Sequence, residues 1–354
     1  IRICSDIAAR ACSTEAASTS DTHPPLYLSG IQPTGVPHLG NYFGAIRPWL
    51  RIQKEQAGVP FYIGIADMHA ISLGPIPANG LRNSVFHMAA ALVAAGIDPA
   101  RTVIFRQSAI PEIAQLSWIL GSLQTVSKLQ RLPQYKDKSS KFARSGVPLG
   151  LLSYPVLQAA DVLAFRATHV PVGADQSQHI NLLTDLAQTF NTAWSVDLFP
   201  VPKAVIAPHA RIKSLRAPHQ KMSKSESSER GRISITDTAD AIAEKCRKAQ
   251  SDAIPEIEYN PGRRTAVANL IDLLAAIRET TPEAIVEQAD GWNTVQLKET
   301  LAVETEALVG PIRTRYEELV SDPEQIHDIL RAGEERARSI VSATMDDVVR
   351  AVGF

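Results

Sequence analysis

Residues 26–46 read LYLSGIQPTGVPHLGNYFGAI, and they join an apolar run to a helix through a turn rich in glycine and proline. The run LYLS at 26–29 is typical of a buried strand, and the glycines and prolines between residues 30 and 37 prevent regular structure before about Leu39. A strand, a glycine-containing turn and a helix start together favour anionic oxygen, because the N–H groups of a helix start point outward. The spacing is neither GxGxxG nor GxxxxGK[ST], which argues against a dinucleotide-binding fold of that kind and against a P-loop ATPase.

The same alternation of strand and helix continues to about residue 215. Strand-like runs lie at 26–29, 59–65, 102–106, 169–172 and 203–206, and helical patterns lie at 40–56, 79–95, 111–121, 154–166 and 175–190. This pattern predicts an α/β fold, a doubly wound Rossmann-type parallel sheet, in which the first crossover lies at the carboxyl edge where ligands bind. After that region the apolar spacing is helical throughout, and Asp322–Gln325 is a helix start signal. We therefore expect a disordered leader or the remnant of a presequence at 1–25, a Rossmann-type catalytic domain at 26–215, and a polar loop followed by a C-terminal all-helical domain at 216–354.

The composition of the 354 residues limits the classes of partner. Hydrophobic residues make up 45% and charged residues 21%, as in an ordinary globular protein, and the net charge is −1. Such a charge excludes a uniformly basic nucleic-acid binder, so any contact with RNA must be local. The three cysteines, Cys4, Cys12 and Cys246, have no spacing typical of a disulfide framework or a zinc site. No apolar run approaches the length of a membrane span, so we predict no membrane association.

A second stretch, HQKMSKSESSERGR at 219–232, is too polar to pack in a core except at Met222. Charged, serine-rich runs are usually solvated loops. Lys221 and Lys224 three residues apart also suit a polyanion that is bound briefly, because a lysine ammonium on its long stem can follow a phosphate. His38, likewise, is by itself most simply a helix cap. The combination of PHLGN with KMSKS on either side of an α/β domain favours the functional explanation for both.

With these two motifs the sequence resembles the class I aminoacyl-tRNA synthetases. The segments GIQPTGVPHLGNY, YPVLQAADVL, VPVGADQSQHI and ARIKSL are similar to those of tryptophanyl-tRNA synthetases of the bacterial and organellar type, over residues 26–354. HLGN is a variant of the His-X-Gly-His signature, with Asn41 in place of the second histidine. The resemblance implies activation of L-tryptophan with ATP and Mg²⁺, transfer to tRNA(Trp), a homodimer, an anticodon-binding role for the helical domain and no metal site built by the protein.

The resemblance also implies roles for particular residues. It assigns catalysis to Lys221, Lys224 and His38. It assigns ATP binding to both lysines and to Gln32, Pro33, Thr34, Gly40, Asn41, Gly173, Ala174, Asp175, Ile212, Met222, Ser223 and Ser225. It assigns tryptophan binding to Asp161, Tyr154, His69, Gln158 and Gln176. Simpler roles remain open for some of them, namely a turn for residues 173–175 and a cap or a core position for His69.

Asp161 has an independent argument from its neighbours. Tyr154, Gln158 and Asp161 step by four and three onto one helix face, and apolar residues around Asp161 imply burial, although a surface aspartate is the commoner case. A buried carboxylate needs a donor, and the indole nitrogen of tryptophan can only donate. Gln158 and Leu28 differ from the methionine and phenylalanine expected in close bacterial relatives. The sequence therefore does not determine which residues form the side walls of the pocket.

Residues 121–145 carry six basic side chains against one acidic one, a net charge of +5. A solvated face is the ordinary explanation. The resemblance puts this segment beside the dimer interface and the mouth of the active site, with Lys138 in reach of the triphosphate.

Other functions and locations remain open on the sequence alone. A tyrosyl-tRNA synthetase shares the fold and both signatures, a paralogue could only bind RNA, and a nucleotidyltransferase of the same superfamily would not need the helical domain. The leader contains Arg2 and Arg10 but also three acids, which weakens its similarity to a transit peptide. We expect the mitochondrial matrix, with the cytoplasm of a bacterium as the alternative.

Overall fold

The computed structural model describes residues 23–142, 146–173, 177–206, 212–223 and 228–354. Almost all of the leader expected at 1–25 lies outside the described residues. Within them, five strands form one parallel sheet: β1 (Tyr27–Ile31), β2 (Phe61–Ile65), β3 (Thr102–Arg106), β4 (His169–Pro171) and β5 (Lys203–Val205). The five predicted strands are thereby confirmed, with ends that differ by at most two residues.

The strand order is β3-β2-β1-β4-β5, and every neighbouring pair is parallel. The chain builds outward from β1 in one direction and then returns to build outward in the other. This reversal confirms the doubly wound Rossmann-type prediction, and it leaves a crevice between β1 and β4 at the carboxyl ends of the strands.

Helices cover both faces of this sheet. They are α1 (Leu39–Asn41), α2 (Arg47–Glu55), α3 (Asp67–Ala70), α4 (Ala78–Ala94), α5 (Pro111–Ser122), α6 (Val126–Gln130), α7 (Pro133–Ser139), α8 (Leu149–Leu163), α9 (Ser177–Trp194), α10 (Ala239–Arg247), α11 (Thr265–Arg278), α12 (Pro282–Gln288), α13 (Thr294–Ser321) and α14 (Pro323–Val352). A π-helical stretch, Tyr42–Ile46, joins α1 to α2. Among the helices of the described residues, none is long and apolar enough to cross a bilayer.

Side chains of successive strand residues point to opposite faces and enter different apolar clusters. Phe61, Ile63 and Ile65 of β2 pack in the cluster that includes α4 and α11, whereas Tyr62 packs in the cluster that includes α5 and α8. All five residues of β2 are buried. Gly64 leaves room for Phe105 of β3, because a Cβ at this position would lie 3.1 Å from the Phe105 ring.

The last helix, α14, crosses the edge strand β3. At the crossing point Gly333 lies so close that an added Cβ would come within 1.9 Å of the Ile104 carbonyl oxygen. On either side of that point α14 contributes apolar residues to both clusters, namely Ile326 and Leu330 to one and Val341 and Val348 to the other. The helix therefore covers an otherwise exposed strand edge and ties both cores together.

The region after residue 238 is helical, as the sequence predicts, and α14 begins at Pro323 beside the expected start signal. The side chain of Asp322 makes no capping hydrogen bond there. The start of α13 is better capped, because Asn293 and Gln296 exchange side-chain and backbone hydrogen bonds in a capping box.

Candidate active site

A cavity of about 840 Å³ opens in the crevice at the carboxyl ends of the strands. After each of the five strands comes a residue that lines this cavity. These residues are, in chain order, Gln32, His69, Gln107, Gly173 and Ile206. This volume lies within the range of sites for small ligands and cofactors. The sheet topology therefore brings together side chains that are far apart in the sequence.

The first signature, HLGN, forms a tight corner at the start of α1. Nδ1 of the buried His38 accepts a hydrogen bond from the Asn41 N–H at 3.3 Å, and the Asn41 side-chain oxygen accepts from the His38 N–H at 3.2 Å. Asn41 thus completes a capping box from the position of the second histidine in the general signature. A Cβ on Gly40 would lie 2.9 Å from Cε1 of His38 and 3.4 Å from Cβ of Met222. Glycine is therefore needed for the imidazole to pack in this position.

The second signature begins on a backbone hairpin. The Met222 N–H donates to the Ile212 carbonyl at 3.2 Å, and the Ser214 N–H donates to the Gln220 carbonyl at 2.9 Å. Met222 is 1% exposed, whereas Lys221 is exposed and lines the cavity. The buried methionine therefore anchors the hairpin, while the adjacent lysine lines the ligand space.

Backbone hydrogen bonds join the two signature regions. The Leu39 N–H donates to the Ile233 carbonyl at 2.9 Å, and the Ile235 N–H donates to the Pro37 carbonyl at 3.1 Å. The segment that follows KMSKS is therefore paired with the segment that carries HLGN. The sequence predicts that these motifs share a site, and the fold brings them into contact.

The predicted ATP-binding residues fall into three groups. Those that line the cavity are Gln32, Asn41, Gly173 and Lys221. Described residues that do not line it are His38, Pro33, Ile212 and Met222, which are buried, Gly40 and Ser223, which are half-buried, and the exposed Thr34. Ala174, Asp175, Lys224 and Ser225 lie outside the described residues, as does Gln176, which is predicted to bind tryptophan. Gln32 and Thr34 belong to a tight turn in which the Thr34 N–H donates to the Gln32 carbonyl at 2.8 Å.

Asp161 forms the polar floor of the cavity. Its Oδ2 lies 2.8 Å from Nε2 of His69, and its Oδ1 accepts from Nε2 of Gln107 at 2.6 Å. An ionised carboxylate has about four lone-pair sites, so it can accept from a further donor after these two. Gln158 and Tyr154, one and two turns earlier on α8, line the same cavity. The predicted helical spacing of these three residues is therefore confirmed as a shared face.

Tyr154 bridges the floor to the mouth of the cavity. Its hydroxyl lies 3.1 Å from Nε2 of His179, and Nζ of Lys138 lies 5.5 Å from the centre of its ring. Burial raises the pKa of the Tyr154 phenol above its usual value, so the hydroxyl stays neutral. Lys138 also lines the cavity, on the segment that the sequence marks as strongly basic.

Sequence reasoning did not identify Gln107 or Asp67. Oδ1 of the buried Asp67 accepts from the Met68 N–H at 3.0 Å and from the Ser108 N–H at 2.9 Å, so it joins the end of β2 to the end of β3. A signal was present in the sequence, because both residues come directly after or within two positions of a predicted buried strand. Polar residues at those positions lie at the carboxyl edge of a parallel sheet.

Comparison of the sequence with known proteins identifies the same family that the two signatures indicate. A family model described as "tRNA synthetases class I (W and Y)" matches residues 20–310. The mitochondrial tryptophan–tRNA ligase of Caenorhabditis elegans is 49% identical over 338 residues, which cover 95% of this chain and 93% of the relative. The tryptophan–tRNA ligase of Caulobacter vibrioides is 41% identical over 346 residues, covering 96% and 99% of the two chains.

The fold is also similar to that of a solved tryptophanyl-tRNA synthetase. A crystal structure of tryptophanyl-tRNA synthetase from Campylobacter jejuni, complexed with ADP and tryptophan, superposes with a TM-score of 0.77 at 29% identity. The match covers 93% of this chain and 99% of that one. The family match, the identities over nearly the whole length and the shared fold lead to one conclusion: the chain belongs to the class I tRNA synthetases for tryptophan and tyrosine, within the tryptophan–tRNA ligases.

Proposed function

We propose that this protein joins L-tryptophan to the α-phosphate of ATP, releases pyrophosphate, and transfers the tryptophanyl group to the terminal adenosine of tRNA(Trp). The observation that carries the proposal is the carboxylate of Asp161 at the floor of a cavity bordered by both signatures. An acceptor held by two donors at that depth suits a ring that can only donate, which is the indole. The related Campylobacter protein, complexed with ADP and tryptophan, supports this choice of ligands.

The indole ring is proposed to lie at the tryptophan end of the cavity, against Asp161 and the other side chains of α8 that line the cavity. The indole N–H donates to Asp161, while Tyr154, Gln158 and His69 form the polar wall around the ring and the amino-acid group. Gln176, outside the described residues, is proposed to complete this wall. A hydroxyl such as that of tyrosine both donates and accepts, so an acceptor-only floor leaves half of its capacity unpaired.

The ATP end is proposed to lie between the turn after β1 and the residues after β4. Gln32, Asn41 and Gly173 line the cavity and are proposed to contact the nucleotide. Pro33, Thr34, His38 and Gly40 support the turn around the nucleotide, and Ile212, Met222 and Ser223 support it from the hairpin. Ala174 and Asp175, outside the described residues, are proposed to meet the ribose, whose hydroxyls the carboxylate can accept.

Catalysis is proposed to rest on positioning and cationic stabilisation. Attack of the tryptophan carboxylate on the α-phosphate builds negative charge on the phosphoryl oxygens and on the departing pyrophosphate. Lys221 and Lys224 are proposed to neutralise the β- and γ-phosphates, with Ser225 donating beside them. His38 is proposed to contact the same phosphates. No side chain needs to act as a nucleophile, because the substrate carboxylate supplies that group.

Mg²⁺ is proposed to enter with ATP. Among the described residues, no group of three or more His, Cys, Asp and Glu side chains is arranged to hold a metal ion. Mg²⁺ retains most of its water and commonly binds through the oxygens of substrate phosphates, so it does not require such a group. When bound it supplies additional positive charge beside the phosphates.

The assembly and the tRNA contacts are also proposals. The region 216–354, with α10 to α14, is proposed to act as the helical domain that holds the anticodon, while 26–215 forms the catalytic domain. A homodimer is proposed because large apolar side chains are exposed on helices that pack against one another: Trp118 on α5 is 82% exposed, Val126 on α6 is 58% exposed and Leu149 on α8 is 75% exposed. Trp118→Glu should then convert a dimer to a monomer in light scattering.

The mitochondrial matrix is proposed as the location. The relative from Caenorhabditis elegans that is 49% identical is a mitochondrial ligase, whereas the bacterial relative is somewhat less similar. A fluorescent tag at the carboxyl terminus of the full-length gene product, imaged in cells, tests this. A diffuse cytosolic signal would contradict it.

Amino-acid-dependent exchange of pyrophosphate into ATP tests the proposed activity. We expect exchange with tryptophan and none above background with tyrosine or phenylalanine, followed by charging of tRNA(Trp) when that tRNA is added. Exchange with tyrosine alone would instead support the other branch of the family. Binding of RNA without any exchange would mean that the chain is an RNA-binding paralogue.

A further inference from the structure

Gln107 is the most deeply buried polar residue of the cavity floor. It is 2% exposed, follows β3 directly, and donates from Nε2 to Oδ1 of Asp161 at 2.6 Å. Its Oε1 accepts from the Met68 N–H at 3.1 Å. Both ends of the carboxamide are therefore satisfied within the fold, one by the backbone at the end of β2 and one by Asp161.

The orientation of this carboxamide is fixed by its partners. A backbone N–H can only donate, so the atom that faces Met68 must be the oxygen of Gln107. The amide nitrogen is then forced toward Asp161, whose ionised carboxylate can only accept. The other carboxylate oxygen faces Nε2 of His69 at 2.8 Å. Asp67, which accepts from the N–H groups of Met68 and Ser108 on either side, keeps the ends of β2 and β3 in register for this contact.

Two donors that face one carboxylate have a chemical consequence. They prevent rotation about the last torsion of Asp161, because a rotation would break both hydrogen bonds. The acceptor sites that remain then point in a fixed direction. The floor is thereby restricted to ligands that donate.

We propose that Gln107 is a positioning residue that sets amino-acid selectivity, by holding Asp161 as a fixed, acceptor-only group beneath the ring of the substrate. This inference rests on the proposed function, since it assumes that Asp161 meets the indole N–H. It assigns to Gln107 no contact with the reacting atoms. The expected effect is on discrimination between ring systems rather than on ATP binding.

The first test compares tryptophan with β-(1-benzothiophen-3-yl)alanine, in which sulfur replaces the indole N–H. Pyrophosphate exchange gives kcat/KM for each amino acid in the wild-type protein and in Gln107→Met, which keeps the length of the side chain and loses both hydrogen bonds. We expect the preference for tryptophan over the analogue to fall by about tenfold or more, because the acceptor is no longer held. We expect the KM for ATP to change by less than about threefold.

Outcomes of this comparison separate the inference from the function. If the wild-type protein gives no exchange with tryptophan, the proposed function fails and the inference falls with it. If the wild-type protein is active and the preference is unchanged in Gln107→Met, only the inference is overturned. An equal loss for both amino acids also overturns it, because a purely structural residue would act on both alike.

The second test uses Gln107→Glu and covers the case in which the methionine variant does not fold. The introduced carboxyl faces Asp161, and two adjacent carboxylates share a proton with a raised pKa. Below that pKa the shared proton restores a donor to Asp161. Above it two negative charges face each other and the floor is disrupted. His69, Asp67 and Tyr154 are the other titratable groups nearby, and the wild-type profile over the same range accounts for them.

We therefore expect the KM for tryptophan of Gln107→Glu to approach the wild-type value at about pH 6 and to rise by about tenfold or more toward about pH 9. The KM for ATP should follow the wild-type profile throughout. A KM for tryptophan that stays parallel to the wild-type profile at every pH would overturn the inference.

Discussion

Replacement of Asp161 by alanine should damage the use of tryptophan far more than the use of ATP. The change removes the only carboxylate within hydrogen-bonding distance of both His69 and Gln107 in the described cavity. It takes away a charge-assisted hydrogen bond and leaves the indole N–H without an acceptor. Together these effects cost about 3–5 kcal/mol, which corresponds to about 10²–10⁴-fold in kcat/KM for tryptophan.

The same change also affects the fold. His69 and Gln107 each lose an acceptor, and unpaired buried donors cost about 1–3 kcal/mol each when water cannot reach them. Because the Asp161 side chain is 20% exposed at an open cavity, water can replace part of it, and we expect the free energy of unfolding to fall by about 1–3 kcal/mol in total. Denaturant unfolding measures this loss separately from activity.

The assay is pyrophosphate exchange, with tryptophan and ATP varied in turn. Asp185→Ala is the matched control, since Asp185 is an exposed carboxylate on α9 paired only with Lys128 among the described contacts. That variant should keep both KM values within about threefold of the wild type. An Asp161→Ala protein that loses ATP and tryptophan affinity equally, or that keeps its kcat/KM for tryptophan within about threefold, would refute the reasoning.

Three further predictions test the signature loop, the packing and the buried thiol. Lys221→Ala should slow tryptophan-dependent exchange by about 10²–10³, mostly in kcat, whereas Lys248→Ala, directly after α10, should change it by less than about threefold. If the two variants exchanged at equal rates, Lys221 would have no role in catalysis. Gly333→Ala should lower the free energy of unfolding by about 1–3 kcal/mol or more in urea, because its Cβ would lie 1.9 Å from a strand carbonyl. Gly121→Ala on α5, where nothing lies within 4 Å of the added Cβ, should leave the free energy of unfolding equal or slightly higher. An equal decrease in the free energy of unfolding of both glycine variants would refute the packing argument. Burial raises the pKa of the Cys246 thiol to about 12, so iodoacetamide at about pH 8 should label this thiol only after unfolding. Mass spectrometry of the peptide that contains Cys246 measures the labelling. Rapid labelling of the native protein would contradict the burial of the thiol.

The strands were predictable because a parallel sheet that is covered on both faces needs continuous apolar runs. All five runs in the sequence correspond to strands, and each is bounded by turn residues or by a helical pattern. The alternation with helices, together with the right-handed crossover rule, predicts a doubly wound parallel sheet with its ligands at the carboxyl edge. The strand order, and with it the position of the crevice between β1 and β4, required the structure.

The start of α8 was not predicted correctly. The sequence pattern begins this helix at residue 154, one position before Pro155, because proline is favoured in the first turn. The helix in fact begins at Leu149 and continues through Pro155, which lacks the N–H that would bond to the Leu151 carbonyl. Leu151, Pro155 and Val156 are all buried, so packing of the helix outweighs the local preference.

The contacts within the site required the fold. The pairing of Gln107 with Asp161 joins residues 54 positions apart, and no local pattern indicates it. The reciprocal bonds between His38 and Asn41 are local, yet the sequence identifies Asn41 only as a replacement in a signature. Side-chain partners across a sheet edge depend on strand order and register, and a single sequence fixes neither at that resolution.

A structure of the protein with tryptophan and a non-hydrolysable ATP analogue tests the central claim most directly. The account predicts that the indole nitrogen lies about 2.7–3.2 Å from a carboxylate oxygen of Asp161, with Gln107 and His69 still bonded to that carboxylate. An indole ring bound elsewhere in the cavity, or turned so that its nitrogen faces away from Asp161, would contradict it.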